Sequence, residues 1–190
     1  MLCLTCKNLS FQIICKDCQA NLLIPSFHKR EIEDGFFNYS FYTLSELEDL
    51  ISSKYYFHGD RVFNILAKLS FAKFAENFHF SSEVLAIPID DHTRHNFSHT
   101  AILAKQLESK IIIPRYNCLK ATNIVKYAGK DLEFRQKNPR KFKSIDVVNK
   151  NIILCDDLIT TGETIKQAKK TLEKKENEVL FSLTLADAKL

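Results

Sequence analysis

A chain of 190 residues, 45% hydrophobic and 26% charged, has the size of one domain with room for a small appendage, and its composition excludes disorder. Its formal charge of +4 and pI near 8.7 are too mild to decide about nucleic acid. No apolar run approaches the ~18 residues of a membrane span, so no membrane insertion is expected. The opening MLCLTCKN lacks the basic-then-apolar order of a signal peptide, so the expected setting is a reducing cytoplasm.

The first element is a pair of C-x2-C knuckles, Cys3-Leu-Thr-Cys6 and Cys15-Lys-Asp-Cys18, separated by eight residues. A two-residue spacer lets both thiolates of a knuckle reach one ion, and a second knuckle completes a tetrahedral Zn2+ site. So short a segment cannot build a core, and metal binding would supply most of its folding energy. A redox C-x-x-C would stand at a helix start after a strand, and the context here is different. Cys118 and Cys155 are isolated and read as small apolar residues. The spacing predicts a structural zinc ribbon over residues 1–30, with Pro25 marking its edge.

Downstream, 36–43 (FFNYSFYT) reads as a strand, and LSELEDLISS as a short amphipathic helix with Leu47, Leu50 and Ile51 on its apolar face. Gly59 breaks the pattern before RVFNILAKLSFAKFAENF, which has the apolar spacing of one long helix. A buried strand at 83–89, a helix from about Ser98 and a short strand KIIIP follow. Then come about 30 polar residues, long enough to suggest a functional loop. The chain closes with a strand (NIILC), a helix (ETIKQAKKTLEKK) and a last strand (EVLFSLTLA). Alternating strands and helices predict a doubly wound, mostly parallel α/β sheet over residues 36–190. Its ligand site should lie beyond the carboxyl ends of the strands.

The stretch NIILCDDLITTGETI occupies that position. An apolar strand delivers Asp156 and Asp157 to the rim of the sheet. A polar turn with Gly162 then opens a helix whose first amides are unpaired. Those amides and the hydroxyls of Thr160, Thr161 and Thr164 suit a phosphate monoester, and two carboxylates beside it suit vicinal hydroxyls and a hydrated Mg2+. Capping alone would need one such residue, not a cluster.

This stretch resembles the phosphoribosyl pyrophosphate (PRPP) signature of type I phosphoribosyltransferases: apolar strand, two acids, T-T-G-x-T. The remainder resembles the ComF family of competence proteins, which place a four-cysteine ribbon before such a domain. SELEDLISSKYYFHGD, AIPIDDHTRHNFSHTAILAKQL and FRQKNPRKFK are similar to family segments in the same order. The resemblance implies that Asp156 and Asp157 bind ribose hydroxyls and that Leu158, Ile159, Thr160, Thr161, Gly162, Glu163 and Thr164 hold the ribose phosphate. It implies that the turn with Ile89, Asp90 and Arg94 approaches the pyrophosphate, with Mg2+ bound alongside PRPP. The family's Arg-Gly-Phe-Asn-Gln is replaced by His95-Asn96-Phe97-Ser98-His99, and acids stand at Asp90 and Asp91. No residue identifies itself as a nucleophile.

Residues 126–143 (KYAGKDLEFRQKNPRKFK) contain seven basic and two acidic residues, a net +5 that exceeds the charge of the whole chain. Lys126, Lys130, Arg135, Lys137, Arg140, Lys141 and Lys143 are the candidates for a phosphate backbone, with Tyr127, Phe134 and Phe142 interleaved for base stacking. A solvated active-site loop is the alternative. Lys7, Lys16, Lys29 and Arg30 add positive charge on or beside the ribbon. The family resemblance implies handling of incoming single-stranded DNA, with other competence proteins as partners. A phosphoribosyltransferase for a small nucleobase or amine acceptor, or a PRPP sensor without turnover, would fit the same motif.

Overall fold

The computed structural model describes residues 1–89, 93, 95–123, 137 and 140–190. The N-terminal segment is two knuckles and one short helix, α1 (Lys16–Asn21), held by a single bridge between Leu2 and Leu9. Its buried residues Cys3, Ile14, Cys18 and Leu23 belong to the same apolar cluster as Phe41, Tyr42 and Leu47.

Two strands follow, β1 (His28–Glu33) and β2 (Phe36–Thr43), paired antiparallel across Gly35, whose φ of 68° makes the reversal. β1 is an addition to the expected elements. Its half-exposed alternation, HKREIE, is too polar to announce a strand, and as the sheet edge it needs only one buried face. Helix α2 (Leu44–Ser52) starts where the Glu46 carboxylate accepts the Thr43 N–H at 2.6 Å, and it buries Leu47, Leu50 and Ile51. A 3₁₀ turn at Ser53–Tyr55 leads to α3 (Gly59–Leu69) and α4 (Phe71–Asn77).

The expected single helix over 61–78 is therefore two. The Ser70 hydroxyl donates to the Leu66 carbonyl at 2.6 Å, competing with the helical ladder, and Ser70 adopts φ −115°, ψ −75°.

The remaining elements are β3 (Val84–Pro88), α5 (His99–Lys105, capped by Ser98), β4 (Ile112–Pro114), β5 (Leu119–Ala121), β6 (Phe142–Ser144), β7 (Asn151–Ile159), α6 (Glu163–Glu173) and β8 (Glu178–Asp187). The main sheet runs β1-β2-β8-β7-β3-β4, parallel throughout except at the β1–β2 edge. Alternate residues feed two cores. Val84, Ala86, Ile153 and Cys155 face the cluster formed with α2, α3, α4 and α5. Leu85, Ile87, Ile152 and Leu154 face the cluster formed with α6 and the β5–β6 pair. Burial on both faces explains why these strands read as continuous apolar runs. No described helix is long and apolar enough to cross a membrane.

The polar stretch expected as a structureless loop has an ordered stem, because β5 and β6 pair with each other outside the main sheet. The residues between them that carry Lys126, Lys130 and Arg135 lie outside the described residues.

Candidate functional site

Strand β7 runs four residues beyond NIILC, so Asp156 and Asp157 are strand residues in its carboxyl-terminal half. Pairing with β8 on one side, Asp156 opposite Thr184, extends it this far. Asp157 is buried, Asp156 half-buried.

Asp157 is held by two residues that motif reading did not single out. Lys54 Nζ donates to Oδ2 at 2.6 Å, and His99 Nε2 stands 3.9 Å from Oδ1. Burial by itself would raise the Asp157 pKa, but the Lys54 charge, with His99, overrides it and holds the carboxyl below its ordinary range. Burial works the other way on Lys54, and Asp157 again prevails, so the ammonium's pKa is raised. Asp156 has no ion pair among the described residues, and the Lys54 charge acts on it only weakly. Desolvation, then the neighbouring Asp157 charge, push its pKa well up, although Oδ1 accepts the Asp157 backbone N–H at 2.9 Å. The two acids are thus electrostatically unlike: one paired and ionised, one starved of positive charge.

Beyond the strand, Gly162 takes φ 85°, ψ −4°, and Lys166 N–H donates to its carbonyl at 3.0 Å as α6 begins. A Cβ at Gly162 would lie 3.3 Å from the Ile32 Cβ of β1, so the position combines a left-handed backbone with close packing. Thr161 Oγ1 accepts the Glu163 N–H at 3.4 Å, and Glu163 pairs with Lys166 at 3.3 Å. The turn is braced from β1: Arg30 donates to the Thr160 carbonyl at 2.9 Å and to Asp187 Oδ1 at 2.5 Å. Asp187 is fully buried at the end of β8 and also accepts the Lys189 N–H at 2.8 Å. Arg30, read from the sequence as positive charge beside the ribbon available to nucleic acid, is committed to this strut.

Leu158 packs on the α3–α5 side of the sheet and Ile159 is buried on the α6 side, so their backbone, not their side chains, shapes the turn. Ile89 is also buried, and its N–H extends the β3–β7 ladder to the Cys155 carbonyl at 2.8 Å. Asp90, Asp91 and Arg94 lie outside the described residues. Where the family pattern has glycine, His95 and Asn96 themselves adopt positive φ, 51° and 66°. His99, from the same altered segment, is the second group at Asp157, its ring edge-on to Phe63 at 5.5 Å.

The four N-terminal thiols converge, with all sulfurs within 4.8 Å of one another and the Cys3–Cys18 and Cys6–Cys15 pairs at 3.9 and 3.8 Å. A tetrahedral centre with metal–sulfur bonds of about 2.3 Å has sulfur–sulfur edges of about 3.8 Å, so the cluster fits a metal ion. Backbone amides point at the sulfurs: Cys15 N–H to Cys3 at 3.3 Å and Cys18 N–H to Cys15 at 3.4 Å. Burial resists ionisation of Cys3, but the backbone amides of Cys15, Cys6 and Thr5 outweigh it and bring its pKa down to about 6.

Of the basic candidates, Lys141 is exposed just before β6 and Lys143 is exposed on it, directly opposite the exposed Lys120 of β5. Lys137 and Arg140 are described and make contacts of their own. Phe142, expected to stack on bases, is half-buried against the cluster of Ile159 and Ile165 and serves the stem. Lys29 lies over the Phe37 ring at 3.7 Å, and Lys7 donates to the Leu4 carbonyl at 2.6 Å.

No family model matches the chain. No curated protein matches it either. Among solved structures it is similar to a hypoxanthine phosphoribosyltransferase from Staphylococcus aureus (15% identity, TM-score 0.38, 66% of this chain and 62% of that one). It is also similar to the UMP synthase of Leishmania donovani (14% identity, TM-score 0.42, 90% of this chain and 31% of that one). The chain thus spans less than two thirds of the length of either.

Proposed function

We propose that this chain is a ComF-type protein of natural transformation: a zinc-stabilised, cytoplasmic PRPP-binding protein that handles single-stranded DNA. The observation that carries the PRPP reading is the sequence of parts at the carboxyl end of β7. Two acids there precede a left-handed Gly162 and the first turn of α6. Asp156 and Asp157 would accept the ribose hydroxyls. The amides from Thr161 to Thr164, at the positive end of an 11-residue helix, would hold the 5′-phosphate. A hydrated Mg2+ would neutralise the pyrophosphate and bring to Asp156 the positive charge that it lacks. The Cys3, Cys6, Cys15 and Cys18 cluster has the thiolate-only donor set and the sulfur spacing of structural Zn2+.

The DNA half of the reading draws on the stem. Like charges placed directly opposite, as Lys120 and Lys143 are, oppose pairing, and a polyanion would relieve them. Other proteins of an uptake pathway would then be its partners.

Calorimetric titration with PRPP, with and without Mg2+, tests the site. Wild-type should bind in a Mg2+-dependent manner, and Asp157→Asn should bind at least about tenfold more weakly with its zinc content unchanged. Absence of PRPP binding by the wild-type would overturn the reading. Release of pyrophosphate on adding a nucleobase or amine would replace DNA handling by transfer to a small acceptor.

A further inference from the structure

Between Lys54 and α3 the chain carries three consecutive aromatics, Tyr55, Tyr56 and Phe57, exposed by 47%, 56% and 82%. Packing does not explain them, since a folding chain gains nothing from Phe57 in water. The segment is nevertheless tightly built. Tyr56 N–H donates to the Ser53 carbonyl at 2.9 Å, Gly59 N–H to the Tyr56 carbonyl at 3.1 Å, and Arg61 N–H to the His58 carbonyl at 3.2 Å. A Cβ on Gly59 would meet the Ser53 carbonyl oxygen at 2.3 Å and the Phe97 ring at 2.8 Å, so only glycine closes this turn. His58 braces both rings: Tyr56 lies parallel to it at 5.7 Å between centroids, and Phe57 stands edge-on at 5.3 Å. The aromatics are displayed on a rigid mount.

That mount is fixed to the acid pair. Lys54 Nζ touches Asp157 Oδ2 at 2.6 Å and lies 5.5 Å from the Tyr55 ring centre. The Tyr55 ring centre is therefore within about 8 Å of the carboxylate, and Tyr56 and Phe57 are the next two residues of the same turn. A flat group joined to a ribose at Asp157 would arrive at this turn.

We propose that Phe57, with Tyr56 standing at right angles to it, forms a stacking site for a nucleobase on the turn that Lys54 fixes to Asp157, taking either a free base or a base of a single strand. The assignment rests on the PRPP reading for the sugar, but not for the stacking surface itself. Because Tyr56 is parallel to His58 and Phe57 perpendicular to it, a base stacked on Phe57 meets Tyr56 at a right angle, and stacking tolerates any base.

The test uses the full-length protein and three probes: a labelled oligo(dT), an abasic oligonucleotide of equal length and charge, and free adenine or uracil. Loss of one stacked ring is worth about 1–3 kcal/mol, or about 5- to 150-fold in affinity. Phe57→Ala should weaken oligo(dT) or free base by that factor and Tyr56→Ala by less, and both should leave abasic binding and Mg2+-dependent PRPP binding unchanged. Phe57→Tyr should retain affinity, whereas Phe57→Leu, apolar but without a π face, should not. A change in oligo(dT) binding identifies a nucleic-acid base, and a change in free-base binding identifies a small acceptor. Unchanged affinity for both base-containing probes, or wild-type affinity for the abasic strand equal to that for oligo(dT), overturns the platform while PRPP binding stands. Failure of PRPP binding in the wild-type overturns the sugar site instead.

Discussion

Replacing Asp156 and Asp157 by Asn one at a time should move stability in opposite directions. Asp157→Asn leaves the Lys54 ammonium, 19% exposed, facing a neutral amide. Breaking a buried ion pair costs about 3–5 kcal/mol, and partial exposure of Lys54 reduces that to about 2–3 kcal/mol. At about 2–4 °C per kcal/mol for a chain of this size, Tm should fall by roughly 4–12 °C. Asp156→Asn removes the unpaired member of two adjacent like charges and keeps an oxygen for the Asp157 N–H, a gain on the order of 1 kcal/mol and a rise in Tm of roughly 2–4 °C. The pH dependence carries the same signs. Asp157, with its folded pKa depressed, stabilises above its unfolded value near 4, a contribution lost as pH falls through the folded one. Asp156, with its folded pKa raised, destabilises progressively from that unfolded value upward, until the folded carboxyl is ionised. Lys54, raised, contributes fully below its unfolded pKa near 10.4 and loses that contribution as pH rises through the folded value. Thermal melts of both variants from pH 4 to pH 9, with Lys54→Met and Lys54→Met/Asp157→Asn closing a double-mutant cycle, measure all of this. Equal losses of Tm in the two Asn variants, or additive behaviour of Lys54 and Asp157, would refute the assignment of ionised and starved carboxylates.

Removing metal with a chelator, or Cys15→Ser, should lower Tm of the whole protein and not only unravel residues 1–25, because Cys3 and Cys18 share a core with Phe41 and Leu47; metal content and circular dichroism check this together. Arg30→Ala should cost about 3–5 kcal/mol by orphaning the buried Asp187, and Arg30→Lys should recover little, since a lysine cannot fork between Asp187 and the Thr160 carbonyl; denaturant melts decide. Gly162→Ala should cost on the order of 1–2 kcal/mol in stability and weaken PRPP binding further, as a Cβ forces φ 85° and crowds Ile32; calorimetry with and without ligand separates the two.

What was legible in the sequence was local. Cys3, Cys6, Cys15 and Cys18 are close because short spacers hold them so, and NIILC, ETIKQAKK and EVLFSLTLA follow from periodicity and position. The groups that give the site its electrostatic character are distant along the chain: Lys54 lies 103 residues from Asp157, and Arg30 lies 157 residues from Asp187. No periodicity announces such a pair, because the topology β1-β2-β8-β7 creates it. A lysine directly before three aromatics and a helix-starting glycine was the one available signal at Lys54. The break at Ser70 escaped because a serine is an ordinary surface residue of a helix until its hydroxyl turns back to the chain.

The features that violate local rules share a pattern. Asp156 has no ion pair among the described residues, Lys120 faces Lys143, and Phe57 is 82% exposed. None of them improves the core, and each lowers folding stability relative to an obvious alternative residue. Uncompensated positions are what a binding surface requires, because a ligand gains most where the protein alone is least satisfied. A divalent cation supplies charge to Asp156, an anion accepts the amides of the turn, and a flat aromatic covers Phe57. Each ligand part therefore corresponds to one deficit, and partial ligands should be additive. Mg2+ with PRPP should raise Tm more in the wild-type than in Asp156→Asn, since the asparagine removes in advance the deficit that the cation would fill.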